Sequence, residues 1–502
     1  MRVLFVSSEI YPLAKTGGLA DVSAALPAAL VEKGVEVRLL MPGYPEALAA
    51  TANRSSEATF TDIAGIGAAR LVAAHMPDTG LPVWLVDCPA MFGRQGGLYQ
   101  DATGADWPDN AQRFALLNHV AARIAGGALA LKWRPDIVHA NDWHSGLLPL
   151  LLEAGGGSRP ATLFTIHNMA YQGCFHSSSL DGLGLPDDVF TPDGIEFYGS
   201  VSFLKAGIRY SDHVTTVSPS YAREILTPEG GCGLDGLLRD RRSRLSGILN
   251  GADYRLWDPT CDAYLLRHFS PADLSGKRIC KAELQRELGL PVAPEVPLVI
   301  YLSRIAEQKM ADVVLDALPS ILARGVQLAV LGKGQANLEH RFRNLAPLWP
   351  GQLAVRIGYD EQLAHRLQAG GDILLHPSRF EPCGLTQLYA LRYGTLPIVR
   401  NVGGLSDSVV DFNDESLRTE MATGFVFDEP DALAMLRALD RALALYRKPM
   451  AWRKLQRQAM QSDFGWETSA SRYLALYRRL TLAGPAGEGI ARCQAGFADA
   501  AE

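Results

Sequence analysis

Short apolar runs recur along the chain at residues 3–7, 35–41, 83–87, 137–140, 162–166 and 214–217, each followed by a stretch long enough to form a helix. Runs of this length without polar alternation predict strands buried on both faces of a parallel sheet, and the intervening segments predict the helices that cover it. The series restarts at 297–303 and continues through 326–331, 353–357, 373–375 and 396–399. Two α/β units of similar architecture are therefore expected. Between the two series, residues 247–259 carry Asn-Gly and Asp-Pro turn formers, which sets a boundary near 248. The first domain is then 1–247 and the second 248–480, the latter closing on an amphipathic helix over 469–480 that packs back on the body. The Ala- and Gly-rich segment 481–502 is expected to be a flexible tail.

Composition agrees with this division. A chain of 502 residues with 48% hydrophobic content exceeds one ordinary domain. Lys plus Arg number 48 against 54 Asp plus Glu, a net charge of −6, so nothing draws the chain as a whole to nucleic acid or anionic lipid. Any phosphate binding must be local. The seven cysteines are scattered, with no Cys-x-x-Cys, which predicts reduced thiols, no structural zinc and a cytoplasmic setting. The N-terminal apolar run is too short for a signal peptide, and no apolar run reaches 18 residues, so no membrane segment is expected.

The candidate chemistry lies where predicted strands end. After the strand at 373–375 come His376 to Gly394, in which Pro382 and Gly384 break the strand and a helix begins. Open α/β sheets bind ligands at the carboxyl ends of their strands. Backbone amides at Leu385 and Thr386 would favour an anion, and Glu381 brings an acceptor for hydroxyls; together they suit a sugar joined to a phosphate. Arg304 and Lys309 follow the strand at 297–303 and either stabilise a departing diphosphate or are solvated surface charges. In the first domain, Lys15-Thr-Gly-Gly18 precedes a helix and allows close approach of backbone to a phosphate or sugar. Asp142, His167 and Asn168 follow strands and could hold sugar hydroxyls, whereas His139 and His144 read as structural. Tyr359 either stacks on a base or is a half-buried surface tyrosine, and Cys383 reads as packing rather than as a nucleophile. No two aspartates are separated by one residue, so a metal-holding Asp-x-Asp is missing and neither a metal nor a cofactor is expected. Neither a Walker A motif nor Gly-x-Gly-x-x-Gly is present.

Four spaced motifs, Lys-Thr-Gly-Gly-Leu-Ala-Asp at 15–21, Asn-Asp-Trp-His at 141–144, His-Asn-x-Ala-Tyr-Gln-Gly at 167–173 and Arg-Phe-Glu-Pro-Cys-Gly-Leu-Thr-Gln at 379–387, occur in the order found in bacterial glycogen synthases and plant starch synthases. The chain resembles that family from Met1 to about Leu480. The resemblance implies the GT-B fold, two Rossmann-like domains facing across a cleft, and retaining transfer of glucose from ADP-glucose to the non-reducing end of an α-1,4-glucan. It implies that Arg304 and Lys309 bind the diphosphate with the amides of Gly18, Leu385 and Thr386, and that Glu381 orients the glucosyl 3- and 4-hydroxyls. Asp142 and Asn168 would hold the sugar's other edge, and the carbonyl of His167 would lie beside the anomeric carbon. Lys15 and Asp21 would line the cleft, Tyr359 would meet adenine, and Tyr99 would touch the acceptor.

Three positions depart from the family's pattern. Tyr389 stands eight residues after Glu381, where many relatives of this fold have a second glutamate, which fits the glycogen synthase branch. Met310 replaces a usual glycine, and the stretch 401–408 lacks the usual threonines. A UDP-glucose-using synthase, a glucan phosphorylase and a non-catalytic glucan-binding protein are the competing readings.

Overall fold

The computed structural model describes residues 1–129 and 131–484, so the expected tail lies, from 485 on, outside the described residues. Two compact units make up the chain. The first contains Met1–Thr216, Ile225–Ile248 and the described residues from Ser469; the second contains Val217–Glu224 and Leu249–Thr468.

The first unit is built on a nine-stranded sheet in the order Leu245–Gly247, His213–Thr216, Ala161–Ile166, Ile137–Asn141, Arg2–Val6, Glu36–Pro42, Pro82–Asp87, Ala69–His75, Ser55–Phe60. The first seven run parallel and the last two are added antiparallel. Ile137–Asn141 and Ala161–Ile166 are buried at every residue, which is why they read as continuous apolar runs. Ser55–Phe60 is an edge strand with most of its side chains exposed; its sequence, Ser-Ser-Glu-Ala-Thr-Phe, gives no such run and predicts no strand.

The second unit carries a six-stranded, all-parallel sheet in the order Leu353–Ile357, Gln327–Gly332, Leu298–Leu302, Ile373–His376, Leu396–Arg400, Phe425–Phe427. Helices such as Ala311–Leu322 and Ala432–Tyr446 bury Leu318, Ile321, Leu439 and Leu443 against it. Each unit is thus a doubly wound parallel sheet covered by helices, as the repeated pattern predicts.

In both sheets the direction of strand addition reverses at the first strand. Arg2–Val6 has Glu36–Pro42 on one side and Ile137–Asn141 on the other; Leu298–Leu302 has Gln327–Gly332 on one side and Ile373–His376 on the other. Loops leaving such a pair of strands at their carboxyl ends diverge and open a crevice. The candidate residues follow these pairs.

Two segments group differently from the sequence division. The last helix, Trp466–Ala483, extends past 480, and from Ser469 it belongs to the first unit, where Tyr473 and Tyr477 are fully buried and the Tyr477 hydroxyl lies 2.7 Å from His139 Nδ1. Val217–Glu224 belongs to the second unit because Ser218 Oγ donates to the Pro382 carbonyl (2.6 Å) and Ser220 donates from both N and Oγ to Asp407 (2.7 Å each). Among the described residues no helix is long and apolar enough to cross a membrane.

Candidate active site

In the second unit the loop after Leu298–Leu302 carries Arg304 and Lys309, and the loop after Ile373–His376 carries Glu381. The Arg379 amide donates to the Gln308 carbonyl (2.8 Å) and Gln308 Nε2 donates to the Phe380 carbonyl (3.2 Å), which fixes the two loops side by side. Lys309 Nζ forms an ion pair with Glu381 Oε2, both side chains nearly buried. Ser378 Oγ donates to the same oxygen at 3.0 Å, and His376 Nε2 lies 3.2 Å from it. All three contacts converge on Oε2, which fixes the carboxylate.

Burial alone would raise the Glu381 carboxyl, but the Lys309 charge and the His376 contact outweigh it and hold the group well below the usual carboxylate range. Glu381 is therefore an ionised acceptor at every physiological pH. The sequence puts Glu381 and the two cations at one crevice, and the structure brings Lys309 to it directly. Arg304 is exposed and donates to Gln308 Oε1 at 2.8 Å. His376 and Ser378 are site residues that the sequence motifs do not single out. His376 ends the strand and Ser378 stands in the loop that follows, five and three residues before Glu381, and that spacing is the available signal.

Leu385 caps the seven-residue helix Thr386–Arg392 with no side-chain hydrogen bond to it. The turn before it is held by Gln387, whose Nε2 donates to the carbonyls of Cys383 (3.0 Å) and Gly384 (2.9 Å) and to Ser408 Oγ (3.1 Å). Gly403 and Gly404 lie against this turn so closely that a Cβ would come 1.9 Å from the Glu381 carbonyl and 2.2 Å from that of Cys383. In the same stretch Val402 packs with Val399, Leu405 and Val409 where the family's threonines are missing. Burial pushes the Cys383 thiol up to about 12, so it is not ionised near neutrality. Cys383→Ala is expected to keep kcat within about threefold of the wild type, and a larger loss in a glucosyl-transfer assay would give the thiol a role.

Tyr359 is 67% exposed, with its hydroxyl bonded to Glu361. Tyr389 stacks on Trp257 (centroids 4.0 Å apart, planes 3° from parallel), and Trp257 stacks in turn on His365 (3.6 Å). Tyr389 is thus a packing residue. Met310 adopts φ 53°, ψ 32°, the left-handed conformation a glycine takes freely, and its side chain is fully buried. Met310→Gly should relieve about 1–2 kcal/mol of backbone cost but lose about 2–5 kcal/mol of packing, a net destabilisation readable as a lower denaturant midpoint. A raised midpoint would show that strain dominates.

In the first unit the switch-point loops carry the other candidates. Glu9, 3% exposed, accepts from the Thr16 hydroxyl (2.9 Å), the Gly17 amide (3.3 Å) and the Tyr99 hydroxyl (2.9 Å). It moulds the turn that precedes helix Gly18–Glu32, whose N-cap, Gly17, offers the first-turn amides no side-chain acceptor. A Cβ at Gly17 would meet nothing within 4 Å. Lys15 Nζ pairs with Asp21 at 2.8 Å. Tyr99 also lies 2.7 Å from Ser8 Oγ and stacks on His144 at 4.5 Å, so its hydroxyl serves this turn. Glu9 is not among the residues the motifs point to; its signal in the sequence is a carboxylate at the exit of the first strand, seven residues before Thr16.

Asp142 follows Ile137–Asn141 with φ 60°, ψ 176°, a region nearly reserved for glycine, and its Oδ1 accepts from the Trp143 amide at 3.1 Å. Burial raises its carboxyl to about 8; the Trp143 bond opposes the rise and the Glu9 charge adds to it. His167 Nε2 lies 3.1 Å from Asn141 Oδ1, and burial lowers its ring to about 3, so it is neutral. Asn168 Oδ1 accepts from the Ala170 amide at 3.0 Å. The strand ends thus bring Lys15, Asp142 and His167 to one end of the sheet. His139, between Tyr477 and Thr165, is a buried structural residue. Among the described residues no group of three His, Cys, Asp or Glu is arranged to hold a metal ion.

Residues 2–240 match the starch synthase catalytic domain family, and residues 288–459 match the glycosyl transferases group 1 family. A glycogen synthase of Paramagnetospirillum magneticum is 53% identical over 96% of this chain and 98% of its own, and one of Burkholderia thailandensis is 54% identical over 95% and 90%. The catalytic domain of starch synthase IV from Arabidopsis thaliana, solved bound to ADP and acarbose, superposes with a TM-score of 0.88 at 32% identity, covering 96% of this chain and 99% of that one. With paired switch-point loops in each sheet and this likeness over nearly its whole length, the chain belongs to the glycogen and starch synthase family of glycosyltransferases.

Proposed function

We propose that this chain extends an α-1,4-glucan by transferring glucose from ADP-glucose to its non-reducing end with retention of configuration. The observation that carries the reading is Glu381: a buried carboxylate that Lys309 keeps ionised and whose Oε2 is held by Lys309, Ser378 and His376. Such a group suits the hydroxyls of a neutral sugar, and Lys309 beside it suits the phosphate to which that sugar is attached. The relatives' name, glycogen synthase, and the ADP and acarbose in the starch synthase structure support the same donor and acceptor classes.

In this proposal Arg304 and Lys309 meet the diphosphate, joined by the amides of Gly18, Leu385 and Thr386. Glu381 orients the glucosyl 3- and 4-hydroxyls, while Asp142 and Asn168 take its other edge. Lys15 and Asp21 line the sugar site, and Tyr359, exposed and aromatic, meets adenine. As the bond from the anomeric carbon to the diphosphate oxygen breaks, the acceptor hydroxyl attacks from the same face and passes its proton to that oxygen. ADP leaves and the glucan is one unit longer. The neutral His167 offers its carbonyl to the positive charge growing on the anomeric carbon. No carboxylate is needed as a nucleophile, because Glu381, fixed by three contacts, acts as a hydroxyl acceptor. The site of action in this proposal is the cytoplasm.

The test supplies labelled ADP-glucose or UDP-glucose with glycogen in the presence of a chelator. Label entering the polymer from ADP-glucose is expected, with UDP-glucose slower. Incorporation from neither donor would overturn the proposal.

A further inference from the structure

The first unit contains a cavity of about 580 Å³ built from residues 192–241, on elements other than the switch-point loops. Its most unusual feature is Tyr198. Tyr198 and Gly199 form the two-residue turn between strands Glu196–Phe197 and Ser200–Ser202, with φ of 48° and 80°. A turn with two positive φ values favours Asn, Asp or Gly at its first position, and a bulky aromatic there is a backbone cost. The cost gains nothing in the core, because the Tyr198 side chain is 85% exposed. Phe197 meets it edge-on (centroids 4.7 Å, 81°), and a Cβ on Gly233 would come within 3.0 Å of Phe197 and 3.4 Å of Tyr198. A strained turn thus presents an aromatic face at the cavity mouth.

The walls are hydrogen-bonded and charge-balanced. Lys205 Nζ donates to the carbonyls of Pro192 and Glu196 at 2.5 Å each, Arg209 Nε donates to that of Asp193 at 2.9 Å, and Arg241 Nη1 donates to that of Arg209 at 2.8 Å. Three carboxylates, Asp193, Glu196 and Asp240, line the same cavity as these three cations. With the charges even, an anionic ligand finds no net attraction. A neutral ligand rich in hydroxyls does better: it can accept from the cations, donate to the carboxylates, and lay the C–H face of a sugar ring on Tyr198.

We propose that this cavity is an accessory saccharide site that holds a stretch of the acceptor glucan away from its reacting end, with Tyr198 as the stacking platform. The identity of the saccharide rests on the proposed function; the site itself does not. The test is migration of the full chain and of Tyr198→Asn, Tyr198→Ala and Tyr198→Phe through native gels containing glycogen, with turnover on maltotriose and on glycogen measured alongside. Asn favours the left-handed turn and so preserves the hairpin, while Phe preserves the ring.

The expected result is that Asn and Ala weaken glycogen retardation and raise KM for glycogen by about tenfold, the order of one lost aromatic contact, while Phe retains both. Turnover on maltotriose should not change in any variant. Retardation that is indifferent to Tyr198 while transfer is intact would overturn this site alone. Tyr198-dependent retardation in a chain that transfers glucose from no donor would overturn the proposed function and leave the site standing.

Discussion

Replacing Lys309 by alanine is expected to lower kcat by about 10²–10³-fold, the loss typical of removing one group that stabilises developing charge. The structure adds a second consequence. Lys309 and Glu381 are both nearly buried, so the variant leaves a buried carboxylate without its Lys309 partner, beside His376 and Ser378. Breaking a buried pair from one side costs about 3–5 kcal/mol, so Lys309→Ala should also unfold at lower denaturant. Glu381's folded value is depressed by Lys309, and the stability this contributes is present above the unfolded carboxyl's value and lost as pH falls through the folded one. The wild type should therefore lose stability on acidification more steeply than the variant. Unchanged turnover in Lys309→Ala would remove the residue from the mechanism, and unchanged stability would contradict the buried pair.

Asp142→Asn is expected to act in opposite directions on activity and stability. A carboxyl raised to about 8 in the folded chain makes the ionised form costlier there than in the unfolded chain. The contribution of the neutral acid is complete below about pH 4 and is lost as pH rises toward the folded value, by at most about 1.4 kcal/mol per pH unit. Asparagine cannot ionise, keeps an oxygen for the Trp143 amide, and tolerates positive φ better than most residues. The melting temperature of Asp142→Asn should therefore exceed that of the wild type, by a margin that widens between pH 5 and pH 8. Loss of the carboxyl's hydrogen bond to a sugar hydroxyl should meanwhile reduce kcat/KM by up to about tenfold. A pH-independent margin would show that the carboxylate is not strained by burial, and full activity would take Asp142 out of the site. Such opposed effects are expected where strain is kept for function.

The elements visible in the sequence are those whose physics is local. Ile137–Asn141, Ala161–Ile166 and Leu298–Leu302 are buried on both faces and read as unbroken apolar runs, and this alone places the loops that follow them at the carboxyl edge of a sheet. That edge is what brings Lys309 and Glu381 together, in the sequence pattern and in the fold alike. The exposed antiparallel strand Ser55–Phe60 gives no apolar run and is invisible to the same logic. Glu9 escapes it because its clamp on Thr16, Gly17 and Tyr99 includes a partner 90 residues away. Val217–Glu224 belongs with the second unit through Pro382 and Asp407, 164 and 187 residues from Ser218 and Ser220, a separation no periodicity reveals. Met310 is the reverse case: the substitution is legible in the sequence, and the left-handed φ is what the structure supplies.

The central claim is retaining glucosyl transfer onto a glucan, and proton NMR of ADP-glucose incubated with maltotriose follows it directly. The predicted result is a new α-1,4 anomeric signal growing in step with ADP release and absent from the Lys309→Ala reaction over the same interval. A β-anomeric product, release of free glucose alone, or unconsumed ADP-glucose with the wild-type chain would contradict it.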